Sequence, residues 1–163
     1  MAKDRTEAGK KRSAGILMYR RAGDGIEVLL VHPGGPFWAK RDDGAWSIPK
    51  GEYTDGEDPR AAARREFEEE LGSRLPERAE LRDLGEVKQK NGKVVVAYAA
   101  AGDLDTSTVH SNTFEMEWPP RSGRRQEFPE IDRAEWFPLA RAREKLIPAQ
   151  VAFLDRLEEG AAS

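Results

Sequence analysis

The chain has no cysteine in its 163 residues. That excludes disulfide bridges, thiolate metal sites and a cysteine nucleophile. Histidine is nearly absent too, with only His32 and His110. A histidine-rich zinc site is therefore not expected, and each histidine reads as an ordinary structural or surface residue with no triad partner in view. No apolar run approaches the length of a bilayer-spanning helix, and the first residues lack an apolar signal region. The expectation is a cytoplasmic protein with no membrane partner. A net charge of -3 gives no overall cationic field, so nucleic acid is not an expected partner.

What is present suffices for one domain with a real core. Hydrophobic residues make up 38% and charged residues 35%, which is polar but not the composition of a disordered chain. Residues 1–12 show no apolar periodicity and read as a mobile tail, residues 13–158 as a single domain, and residues 159–163 as a C-terminal tail. Residues 13–20 and 27–32 read as strands around a turn at Gly23 to Gly25, the second one buried because its apolar run is continuous. Residues 33–46 form a loop rich in glycine, proline, aromatics and charge. Segments 81–90 and 93–100 flank Asn91-Gly92, a pair that suits the positive φ angles of a type I′ hairpin turn. Residues 102–109 and 119–130 read as loops, 111–118 and 134–137 as strands, and 138–146 and 148–157 as helices. Strands before and after a central helix, with helices at the end, suggest an α+β fold or an α/β/α sandwich.

The densest chemistry lies in residues 51–73, GEYTDGEDPRAAARREFEEELGS. Asp58 suits a helix N-cap, Pro59 the first helical position, Ala61 to Ala63 propagation, and Gly72 a stop. Glu66, Glu69 and Glu70 then stand at i, i+3 and i+4 and share one helix face. Carboxylates that close repel, and Arg65 alone does not neutralise three of them. A hard divalent cation does, because it takes several carboxylate oxygens. A run of glutamates by itself is an ordinary solvated face. The fixed spacing around this one makes it more.

Gly51, Glu57, Arg65, Glu66, Phe67, Glu69, Glu70 and Gly72 fit the pattern G-x5-E-x7-R-E-U-x-E-E-x-G-U, with U a bulky aliphatic residue. This stretch resembles the Nudix hydrolase family. Phe67 stands where leucine or isoleucine is usual, and Ser73 replaces the last aliphatic residue. Neither change touches a carboxylate. The resemblance implies a mixed central sheet between helices. It also implies a hydrolase that cleaves the pyrophosphate of a nucleoside diphosphate linked to a group X, by water attack on phosphorus and into two phosphate-bearing fragments, with Mg²⁺ as cofactor. Mn²⁺ accepts the same oxygen ligands.

The resemblance also assigns roles. Glu69 and Glu70 would be metal ligands, and Glu66 a ligand or the general base. The carbonyl of Lys50 would add a ligand. Arg65 would orient a glutamate, and Glu57 would fix the loop and the helix start. A further acid often comes from downstream, here Glu127 or Glu130; Glu130 precedes Trp136 by six residues, as in some relatives. Gly51 would permit a backbone turn that a side chain blocks.

Before the box, Trp46 to Gly51 reads W-x-x-P-K-G, similar to diadenosine polyphosphate and diphosphoinositol polyphosphate hydrolases. Lys50 would set a charge beside a phosphate chain. A base would stack on Phe37, Trp38, Trp46 or Tyr53, of which Trp46 is the one most expected in the core instead. The expected partner is a small-molecule nucleotide, a dinucleoside polyphosphate first. Nucleoside triphosphates, ADP-ribose, diphosphoinositol polyphosphates, RNA ends and a non-catalytic nucleotide-binding module are the alternatives. The oligomeric state stays open between monomer and homodimer.

Overall fold

The computed structural model describes residues 12–162. Strands β1 (Arg12–Ala22) and β2 (Gly25–Pro33) form a hairpin, and the short β3 (Lys50–Glu52) leads to helix α1 (Pro59–Leu71). Strands β4 (Arg82–Lys88) and β5 (Val94–Ala101) make a second hairpin. A small hairpin of β6 (Thr113–Glu117) and β7 (Arg125–Pro129) precedes β8 (Ile131–Pro138). Helices α2 (Leu139–Lys145) and α3 (Val151–Ala162) close the chain. Of the expected N-terminal tail, residues 1–12, all but Arg12 lie outside the described residues, and Arg12 opens β1.

The main sheet runs β4-β5-β1-β2-β8, with β3 paired to β1. β1 and β5 are parallel and the other pairs antiparallel, so the sheet is mixed. Its central strands are apolar on both faces, which is why β1 and β2 read as continuous apolar runs. Ile16, Met18, Leu29 and Val31 meet Ala62, Ala63, Phe67 and Leu71 of α1. Leu17, Val28 and Leu30 meet Ala142, Phe153, Leu154 and Leu157 of α2 and α3 on the other side. The result is the expected helix–sheet–helix sandwich. No helix among the described residues is long and apolar enough to cross a membrane.

Three elements differ from the expectation. Residues 125–129, expected in a loop, form β7, because pairing with β6 sets Phe128 opposite Phe114. β8 is longer than 134–137; Asp132, Arg133 and Glu135 hide it in the sequence and are tolerated because β8 is an edge strand. The turn at Asn91-Gly92 is not type I′. Gly92 alone has positive φ, at 88°, while Asn91 does not. Gly92 N–H donates to the Gln89 carbonyl at 2.9 Å and Gln89 N–H to the Lys93 carbonyl at 2.8 Å. That is a type I turn closed by a glycine bulge, and Asn91 Oδ1 secures it by accepting from Lys93 N–H at 3.0 Å.

Candidate active site

Helix α1 begins as its sequence dictates. Asp58 accepts a hydrogen bond from Ala61 N–H at 3.1 Å, Pro59 opens the first turn, and Gly72 ends the helix in the left-handed region. The apolar face of α1 docks on the sheet. That fixes the rotation of the helix and turns Glu66 and Glu70 toward β3 rather than toward solvent.

Glu66 is buried, and its carboxylate lies against the backbone of Gly51. A Cβ at position 51 would overlap that carboxylate. The glycine is thus required by close approach, not by the backbone turn expected from the sequence, since its φ is not positive.

Arg65 organises the acids. Its Nε and Nη2 donate to both oxygens of Glu57, at 2.9 and 3.0 Å. Its Nη1 donates to Glu66 Oε2 at 2.9 Å and reaches Glu69 at 3.3 Å. One guanidinium therefore ties the loop before α1 to two of the three helical carboxylates. The fork geometry requires arginine, because lysine has no planar pair of donors. Arg65 holds the Glu57 carboxyl below the usual range.

The third carboxylate is in a different environment. Burial, more than any neighbour, pushes Glu70 up to about 8; nearby Glu66 and Glu130 add to the rise, and Lys50 opposes it through its ammonium and its backbone N–H. Burial also raises Glu66, with Glu69 as the next cause. Glu130 is raised by burial and then by Glu69. Lys50 is lowered, mainly by burial. Three carboxyls raised by burial and by one another mark a site short of positive charge.

Glu130 thus joins Glu66, Glu69 and Glu70, although β8 begins sixty residues after α1. Glu127 lies on β7, exposed, opposite Glu115. Of these acids Glu70 and Glu130 border, with Lys50, a cleft of about 270 Å³ that Trp38, Gln89 and Lys93 also wall. Every side-chain donor here is a hard oxygen, which suits Mg²⁺ or Mn²⁺. Among the described residues, no three acidic or histidine side chains already converge as a finished metal pocket; Arg65 holds two of them instead.

Of the aromatic residues expected to stack a base, Trp46, the one most expected in the core instead, lies in the core, and its place among the substrate-binding residues is corrected. It is 1% exposed, packed edge-on against Phe137 and His32, with Nε1 donating to Asp42 at 2.8 Å. It is a core residue and cannot meet a ligand. Tyr53 is half-buried against the α1 side of the core. Phe37 is 63% exposed, and Trp38 lines the cleft. His32 is fully buried, 2.8 Å from Asp132 and 2.6 Å from the Arg41 carbonyl, a structural residue as expected.

Sequence reasoning missed a buried amide network. Gln150 Oε1 accepts from Ile48 N–H at 3.0 Å, and its Nε2 donates to Gln89 Oε1 and Ser47 Oγ, both at 3.0 Å. It holds the strand end that carries Lys50. A glutamine before a C-terminal helix gives no local signal of this, because its partners lie 61 to 103 residues away.

Residues 9–157 match the model of the NUDIX domain. An RNA pyrophosphohydrolase from Rhodospirillum rubrum is 45% identical over 65 residues; the match spans 38% of this chain and 38% of that protein. A solved Ap4A hydrolase from C. elegans, in a binary complex, aligns with a TM-score of 0.65 and 22% identity, over 92% of this chain and 98% of that one. The NUDIX domain of Shewanella oneidensis NrtR, complexed with ADP ribose, aligns with a TM-score of 0.60 and 16% identity, over 93% and 88%. These solved structures share the fold. With the family model spanning nearly the whole chain and the box intact on α1, this protein belongs to the NUDIX domain family, the Nudix hydrolases that its sequence resembles.

Proposed function

We propose that the chain is a divalent-cation-dependent pyrophosphohydrolase. Its substrate would be a nucleoside diphosphate linked to a further group, with dinucleoside polyphosphates first. The observation that carries this reading is that Glu70 and Glu130 line one cleft with Lys50, while Arg65 holds Glu66 and Glu69 on the same helix as Glu70.

Glu66, Glu69 and Glu70, with Glu130 and the Lys50 carbonyl, would hold Mg²⁺. When bound, such an ion neutralises phosphate charge and lowers the pKa of a water. The protein's own part is to hold the carboxylates through Arg65, to aim Lys50 at a phosphate chain, and to close one side of the cleft with Trp38. A carboxylate of this cluster, at Glu66 Oε or Glu70 Oε, takes the proton from the attacking water. Retention of all three box glutamates speaks against a binding module that does not cleave. The name of the Rhodospirillum relative favours RNA 5′ ends as a second reading, since the same bond type is cut there.

Product chromatography after incubation with diadenosine tetraphosphate, ATP, dGTP, 8-oxo-dGTP, ADP-ribose, a diphosphoinositol phosphate and a 5′-triphosphate RNA in Mg²⁺ separates these. Conversion of diadenosine tetraphosphate to ATP and AMP is expected. No turnover of any member would overturn the reading.

The raised carboxyls give a second expected result. At pH 7 the cation-free Glu70 holds a proton, because its value lies near 8. A cation takes the ionised form, so binding must release that proton. Calorimetric titration with Mg²⁺ at pH 7, in two buffers of different ionisation enthalpy, should show release of about one proton per cation. Affinity should rise as pH climbs toward 8. Equal heats in both buffers would show that Glu70 is already ionised or does not meet the ion.

A further inference from the structure

Phe37 and Trp38 are the large apolar side chains that stand exposed among the described residues, at 63% and 36%. Single exposed apolar residues are ordinary. These two are adjacent in sequence, and Trp38 is itself a wall of the charged cleft.

Their loop is fixed in place. Gly34 N–H donates to the Glu130 carbonyl at 2.9 Å, and a Cβ at position 34 would overlap the Pro129 carbonyl. Phe114 of β6 packs under Gly35. Arg41 lies over the Trp38 ring at 5.5 Å. Trp118, just past the end of β6, meets Phe37 edge-on, with ring centroids 5.7 Å apart at 77°. An edge-on neighbour steadies a ring without covering both of its faces. The β6–β7 hairpin therefore presents Phe37 to solvent in a defined orientation. The residue that anchors the loop, Glu130, also belongs to the acidic cluster.

We infer that loop 34–38 and the β6–β7 hairpin form a specificity rim, on which Phe37 stacks an aromatic base carried by the leaving group. The inference rests on the pyrophosphohydrolase reading and narrows it. The preferred substrate would carry a base at each end of its phosphate chain. The nucleoside and phosphates occupy the cleft between Trp38, Lys50 and Glu70, and the second base reaches the rim. A ring held in advance loses little freedom on binding, so the stacking is used efficiently.

The test compares diadenosine tetraphosphate with adenosine tetraphosphate, which has the same phosphate chain and one base. The readout is the ratio of their kcat/KM values in Mg²⁺. Phe37→Ala is expected to lower this ratio about tenfold, mostly through KM, the size of one lost base stack. Phe37→Tyr should restore it. Trp118→Ala should lower it less, since it frees the ring without removing it. A ratio within about twofold of wild type in Phe37→Ala would overturn the inference. If wild type cleaves neither nucleotide, the function reading fails by itself. Calorimetric Kd values for the same two nucleotides then decide the rim, on the same tenfold criterion.

Discussion

Glu70→Gln is expected to lower turnover by at least about 100-fold, because even residues that only support a metal ligand cost about 10–100-fold when lost. The fold should not suffer. Glu70 is raised from its ordinary 4.5 to about 8, chiefly by burial. An acid raised on folding binds its proton more tightly in the native state, so its contribution favours the fold at low pH. That contribution fades as pH rises from about 4.5 to about 8. Glutamine is neutral throughout and can still accept the Lys50 N–H. Without cation, wild type should therefore lose melting temperature between pH 5 and pH 8 relative to the variant. Steady-state kinetics and melting curves on both proteins check the pair of expectations. Turnover within about tenfold of wild type would remove Glu70 from the required groups. A variant that is inactive and also poorly folded would show that its side chain serves the core instead.

The carboxylate helix was legible because each of its determinants is local. Asp58, Pro59 and Gly72 set the ends of α1, and the i, i+3, i+4 spacing sets the shared face. The central strands were legible for a similar reason: burial on both faces leaves an unbroken apolar run. What the sequence hid depends on partners far along the chain. Glu130 stands out beside Glu127 only through the family resemblance; its own surroundings in the chain are those of any loop acid, and the pairing of β8 with β2 sets it near the acids of α1. β7 has no apolar alternation of its own and exists through β6. Gln89 and Gln150 find each other across 61 residues. The β4–β5 hairpin was visible at Asn91-Gly92, but its turn type was not. The choice between two positive φ angles and one depends on the register of strands 82–88 and 94–101.

Trp46 shows the same limit, and its replacement carries the largest expected effect on stability. Its neighbours in sequence are loop residues, which made a ligand-facing ring plausible. Its neighbours in space are not. Trp46 N–H donates to the Lys145 carbonyl at 2.9 Å and its carbonyl accepts from Ile147 N–H at 2.8 Å, so the backbone is stitched to the end of α2. The ring then fills the core between His32 and Phe137, and Asp42 takes its N–H. Asp42 also binds the buried Lys145 ammonium at 2.8 Å, and that contact holds its carboxyl below the usual range. Trp46→Ala empties this site and should cost about 3–5 kcal/mol of stability. For a domain of this size that is a fall in melting temperature of about 10 °C. Trp46→Phe keeps most of the packing and loses one hydrogen bond, about 1 kcal/mol, since Asp42 retains Lys145. Chemical denaturation of the three proteins gives the differences directly. KM should change far less than stability, because the ring does not reach the cleft. A Trp46→Ala protein of unchanged stability and raised KM would return Trp46 to the substrate, and would mean that loop 33–46 opens in solution.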